Sequence, residues 1–250
     1  MLKTTAGLSA FLSTLNYSIY IGSYLHSKSP TRAYMIAYIS HLVGRTASKV
    51  PMKLQGANIP GGTSPLTPLG ALLSDTRTTL RLTGLLPLYV WLKTLLNNSS
   101  SAKDPTLHRI ALLQCVSYIA FQAIENVYHL AGRNIVGTEL VAKRGGVMKW
   151  VTWSCRAWFL GINCDLLRLW REAALARERR QNGETVSAKE QEAMDKKWWN
   201  DLFVAVSWYP MALHYSKEGG LAGMNQGLVG LSGFLAGLGN FRAAWAATAN

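Results

Sequence analysis

The sequence predicts an all-α, membrane-associated helical bundle, and three observations carry that prediction. Apolar residues recur three and four apart along most of the chain, and no stretch alternates apolar and polar as a half-buried strand would. The window from Gly219 to Phe241 is 23 residues long and holds no charged side chain, whereas a bilayer-crossing helix needs ~20 predominantly apolar residues. The composition is 49% hydrophobic and only 16% charged, against about 25% charged residues in ordinary soluble domains. Nine Trp and ten Tyr add to that signal, because both residues favour the membrane–water interface.

Charge is unevenly placed. From Asp165 to Lys197 there are eight basic and seven acidic residues, leaving 18 of the 26 basic residues against six of the 13 acidic ones elsewhere. The formal excess of +13 therefore lies among the apolar segments. A basic, aromatic and apolar chain of this kind suits an anionic phospholipid membrane. Nucleic acid is not an expected partner, since the basic residues are scattered singly and no zinc-finger, RNP or basic-zipper pattern is present. Three cysteines, Cys115, Cys155 and Cys164, each sit in an apolar run and read as buried thiols, not as a disulfide framework. No cleavable signal peptide is expected, and the terminal Ala-Thr-Ala-Asn lacks a Ser-Lys-Leu peroxisomal address.

The elements follow in order within one domain covering residues 1–250. N-terminal helices occupy 1–49. In the first of them Leu8, Phe11, Leu12, Leu15, Ile19 and Leu25 share a face, and Ser29-Pro30 ends it. Thr31 to about Lys49 makes the second, with Tyr34, Met35, Tyr38, Ile39 and Leu42 on its apolar side. Residues 50–68, with four prolines and three glycines, form a loop.

Residues 69–96 are the basic amphipathic helix. Leu69, Leu72, Leu73 and Leu80 share one face, while Ser74, Arg77, Thr78 and Arg81 share the opposite one. Arg77 and Arg81 are four apart and point the same way. Toward Leu96 the helix becomes apolar all round, a form suited to lying in a headgroup layer. The bland reading is a core-facing helix with a solvated arginine face.

Two long helices fill 107–180, with a basic connection over 133–149. The first is uncharged from Ile110 to Ile124, yet it carries Gln114, Gln122, Glu125, Asn126 and His129. Such groups need partners inside a bundle. Glu125 and His129, four apart, read as a structural pair. In the second helix Trp150, Trp153, Ala157, Leu160, Cys164 and Leu167 form a coiled-coil-type stripe. Asp165–Arg168 and Arg168–Glu172 are helix-spaced ion pairs on its charged half.

A hydrophilic loop covers 181–197, and the C-terminal membrane region covers 198–250. That region opens with an apolar helix to about Tyr215, interrupted at Pro210. The glycine-rich segment is expected to span the membrane, together with one of 107–130 or 198–216. Gly230, Gly233 and Gly237 present a small surface, including a G-x-x-x-G pair, for close helix packing.

Catalytic chemistry finds no support. No P-loop, G-x-S-x-G or G-x-G-x-x-G motif occurs, and no two histidines stand at metal-ligand spacing on a helix. Cys155-x8-Cys164 lacks a companion pair. No cofactor or metal is expected, and the protein reads as a non-enzyme.

The order of segments resembles a known family. SDTRTTLRLTGLLPLY at 74–89, ENVYHLAG at 125–132, a tryptophan-rich helix with a charged extension, WWNDLFVAVSWYPMALHYS at 198–216 and GLVGLSGFLAGLGNFRAAW at 227–245 follow one another. This pattern is similar to the peroxin-11 family of peroxisomal membrane proteins, and within it to the fungal third type. The proline-rich segment at 50–68 is not expected as part of the family pattern. The resemblance implies a peroxisomal membrane location and a part in peroxisome elongation, proliferation and fission. It also implies homo-oligomerisation, and recruitment of a dynamin-related GTPase and its tail-anchored adaptor. By position, Leu69, Leu72, Leu73, Arg77, Leu80 and Arg81 would be the membrane-inserting surface. A pore or carrier for small metabolites, with the polar spots of 107–130 lining a water path, is the alternative function.

Overall fold

Small and hydroxyl side chains let the N-terminal helix lie close to two others. The structure, a computed structural model, describes residues 5–28, 66–99, 104–183 and 186–246. Its first helix, α1, runs Thr5–Lys28. The expected second helix at 31–49 and the loop residues 50–65 fall outside the described residues. Helix α2 spans Leu66–Leu80, so the last residues of the expected loop are helical. Pro68 sits in its first turn, where a missing N–H costs nothing. Gly70 packs under the Tyr20 ring, and Ser23 Oγ meets Thr67 Oγ1 at 2.8 Å, which joins α1 to α2.

The expected single helix over 69–96 is broken. A 3-10 turn at Arg81–Thr83 separates α2 from α3, Leu85–Asn97. Pro87 explains the break: it has no N–H for the Thr83 carbonyl, and its ring would crowd that carbonyl in a continuous helix. Helix α4 runs Pro105–Ala131, with Asp104 as N-cap accepting from the Leu107 amide at 2.7 Å. The basic connection after it contains a short helix, α5, Thr138–Lys143, framed by Gly137 and Gly145 at positive φ.

Helix α6, Gly146–Gln181, lies along α4. The buried side of α6 is Trp150, Ser154, Gly161, Ile162, Cys164 and Leu169, while Leu160 and Leu167 are exposed. The predicted stripe is therefore only partly right. Small residues set the contact instead: a Cβ on Gly161 would overlap the Tyr118 ring, and Ser154 Oγ donates to the Phe121 carbonyl at 3.0 Å. The two predicted ion pairs form, Arg168–Asp165 at 3.5 Å and Arg168–Glu172 at 2.9 Å, with Asp201 added at 3.2 Å.

The hydrophilic loop is shorter than expected. Helix α7 already begins at Ala188, capped by Ser187 Oγ accepting from the Glu190 amide, and continues through Pro210 to Ser216. Positive φ at Gly219, Gly220 and Gly223 turns the chain before α8, Gln226–Ala246. Among the described residues there are no strands, as an all-α fold requires. The one helix there that is long and apolar enough to cross a membrane is α4, and the apolar part of α8, Gln226–Gly239, is shorter. The glycine-rich segment thus divides into a turn and a helix, and the length criterion passes to the polar-spotted helix.

Candidate membrane interface

The two faces of α2 meet different surroundings. Leu69, Leu72 and Leu80 are exposed, Leu72 at 60%, and Leu73 is half-buried. The row continues on α3 through Leu86, 68% exposed, and then Tyr89, Val90 and Leu96. Exposed large apolar side chains thus stand on both consecutive helices.

Ser74, Arg77, Thr78 and Arg81 turn the other way, into a cavity of about 970 Å³ at the centre of the bundle. Arg81 Nε and Nη2 each donate to Glu125 on α4 at 2.7 Å. Glu125 is 4% exposed and also accepts from Gln122 and Tyr128, both at 3.4 Å. Burial works against the Arg81 charge, but the hydrogen bonds and attraction of Glu125 outweigh it and hold the guanidinium pKa above its ordinary value. Arg77 lies over the Tyr17 ring, 5.1 Å from its centre.

The polar spots of α4 are the anchors of the α2–α3 break. Asn126 Nδ2 donates to the Leu82 carbonyl at 3.1 Å, and Gln122 Nε2 donates to Asn126 Oδ1 at 3.0 Å. Gly84 leaves room for Gln122: a Cβ there would stand 2.8 Å from its Oε1. His129 Nε2 meets Thr79 Oγ1 at 3.0 Å, and Asp75 pairs with Arg133 just beyond α4. Glu125 and His129 therefore do not pair with each other, as their spacing suggested. Each reaches across to α2 or its terminal turn. Gln114 also bonds outward, to the Gly161 carbonyl of α6 at 3.2 Å.

Gly230 and Gly233 serve a contact within the chain. A Cβ on Gly230 would stand 2.9 Å from the Ile21 amide nitrogen, and one on Gly233 would overlap the Tyr17 ring. Gly237 has only ordinary contacts, 3.7 Å to Thr14 Oγ1 and 3.8 Å to Ser13 Oγ. The partner of this surface is α1. The sequence showed the small surface but could not name its partner, because α1 lies about 200 residues earlier. Asn16 and Tyr17 line the cavity from α1 and have no counterpart in the sequence reading; the available signal was a lone amide side chain in a helix whose other polar groups are mostly hydroxyls.

Among the described residues no group of three or more His, Cys, Asp or Glu is placed to hold a metal ion. The profile of the family described as Peroxisomal biogenesis factor 11 (PEX11) matches residues 53–245. No curated protein matches the chain, and no solved structure does.

Proposed function

This chain belongs to the PEX11 family of peroxisomal biogenesis factors, and on that premise we propose that it elongates the peroxisomal membrane by wedging the leucine face of α2 and α3 into one leaflet. Family membership implies a peroxisomal protein with a general role in peroxisome proliferation and division, in a family of biogenesis factors and not of enzymes. The mechanism, the fission step and the partners are our reading.

One observation carries it: a row of large apolar side chains, among them Leu69, Leu72, Leu80, Leu86 and Val90, lies exposed along α2 and α3. So many exposed large apolar side chains on two consecutive helices are unfavourable in water and suited to lipid or to a partner. In a headgroup layer they would be buried at the acyl boundary and expand that leaflet relative to the other. Helix α4, long and apolar enough to cross, would hold the wedge at the bilayer.

In this conformation Arg77 and Arg81 face the cavity and not the side on which the leucines are exposed. Their contact with anionic phospholipid would require α2 to turn or separate, breaking the Arg81–Glu125 pair. Higher assembly of the protein, and recruitment of a dynamin-related GTPase and its adaptor, complete the proposal by resemblance. A pore is less well supported, because Gln122, Glu125, Asn126 and His129 are engaged in bonds between helices.

The test uses the full chain reconstituted into liposomes containing anionic lipid. Wild type should draw tubules, and Leu72→Gln with Leu86→Gln should reduce them strongly at unchanged helical content. Equal tubulation by the double variant would overturn the wedge.

A further inference from the structure

The cavity at the centre of the bundle contains polar groups that the fold does not satisfy. Asn16 is 1% exposed, and its side-chain Oδ1 has no hydrogen-bond partner. Arg77 Nε is likewise buried without a partner, although the guanidinium lies over Tyr17. Buried polar groups are almost always bonded, so two such atoms on facing helices call for an explanation. Leaving either unmet forfeits the hydrogen bond it would make with water in the unfolded chain.

The charges around the cavity narrow what would meet them. Arg81 is taken by Glu125, and Arg168 is taken by Asp165 and Asp201. Among the described charged residues that line the cavity, Arg77 is the one with no opposite charge bonded to it. A guanidinium in a partly dry site favours an anion that accepts from its N–H groups. From Arg77 the wall is aromatic: the Tyr17 ring meets Trp208 at 5.8 Å, and Trp208 meets Trp158 at 5.6 Å. Met211 and Val229 join the same apolar cluster. A small inorganic anion would satisfy Arg77 and leave this wall uncovered.

We propose that the cavity binds a single-chain anionic amphiphile, with its head on Arg77 and Asn16 and its chain along Tyr17, Trp208 and Trp158. A head that carries both an anionic group and a hydroxyl fits best. The anion accepts from Arg77, and the hydroxyl donates to Asn16 Oδ1. A lysophosphatidate has both groups, whereas a fatty acid carries the anion alone. The site is separate from the exposed leucine face and does not depend on the wedge.

The experiment uses the full chain in phosphatidylcholine nanodiscs and a lysophosphatidate whose acyl chain is brominated, a quencher of nearby tryptophan. Saturable quenching at one ligand per chain is expected above the linear background from lipid-facing tryptophans. Arg77→Gln should weaken the saturable phase at least about tenfold, a loss of ~1.4 kcal/mol, with Arg77→Lys intermediate. Asn16→Ala should weaken it less, and Trp158→Phe with Trp208→Phe, which removes the quenched indoles, should shrink its amplitude. Laurate should compete more weakly than unbrominated lysophosphatidate, and a neutral monoacylglycerol of the same chain should compete poorly. The proposal is overturned if the monoacylglycerol competes equally, if Arg77→Gln leaves affinity unchanged, or if inorganic phosphate displaces the probe at comparable concentration. Unaltered circular dichroism of the variants assigns any loss to the site and not to unfolding.

Discussion

Arg81 and Glu125 face each other across the junction of α2 and α4, joined by two hydrogen bonds of 2.7 Å. Their carboxylate and guanidinium planes meet in the fork geometry that makes such pairs strong and directional. Because Glu125 is nearly enclosed, the pair fixes how α2 sits on the bundle, and with it which face α2 shows to the outside.

Removing one partner should therefore destabilise more than removing both. Arg81→Gln leaves a buried carboxylate unpaired and should cost about 3 kcal/mol, the low end of the range for broken buried pairs, since the Arg81 side chain is 33% exposed. Combining it with Glu125→Gln should recover much of that loss. Chemical unfolding of the reconstituted protein, monitored by circular dichroism, measures both differences.

The glycines of α8 should differ sharply in what they tolerate. Gly233→Ala drives a methyl into the Tyr17 ring and should cost roughly 1–3 kcal/mol, as overpacking does. Gly237→Ala meets only van der Waals contacts and should be neutral or stabilising by about 0.5–1 kcal/mol, the helix-interior advantage of alanine. Thermal unfolding of the two variants side by side reads the contrast. Similar melting points would mean that α8 does not pack on α1 as described.

Acid should loosen the start of α4. Hydrogen bonding from Arg171, then from the Leu107 amide, holds the Asp104 carboxyl below its ordinary range. A depressed folded-state pKa gives stability that is present above the unfolded value of roughly 3.9 and is lost as pH falls through the folded one. Amide exchange in the first turn of α4 should therefore accelerate at the acid end, beyond the intrinsic change with pH. Asp104→Asn should remove that step and show faster exchange at neutral pH. A wild-type profile matching the variant at every pH would contradict the assignment.

These cases also show what could be read from residues alone. The all-α class was legible because three-and-four spacing is a local property, and so were the ion pairs of Arg168 within α6. Two caps were legible but passed over: Asp104 before Pro105, and Ser187 three residues before Glu190. Asp104 lies just before the expected start at 107 and Ser187 inside the expected hydrophilic loop, so α4 and α7 begin earlier than expected. The break at Arg81–Thr83 was signalled by Pro87, whose effect falls on the carbonyl four residues before it. What the sequence could not give was pairing between distant segments. Arg77 and Arg81 looked solvated or lipid-bound because the residues that cover them, Tyr17 and Glu125, lie 60 and 44 positions away. The same distance hid the role of Gly230 and Gly233 as the seat of α1.

The most direct test of the account is the environment of Leu72 in the reconstituted protein. A spin label placed there, compared with one at Ser74, is read for collision with dissolved oxygen and with a water-soluble nickel chelate. The account predicts that the label at Leu72 meets oxygen freely and the chelate rarely, as a side chain at the acyl boundary would, while Ser74 is shielded from both by the bundle. A label at Leu72 that collides readily with the chelate would place the leucine face in water, and the wedge would be wrong.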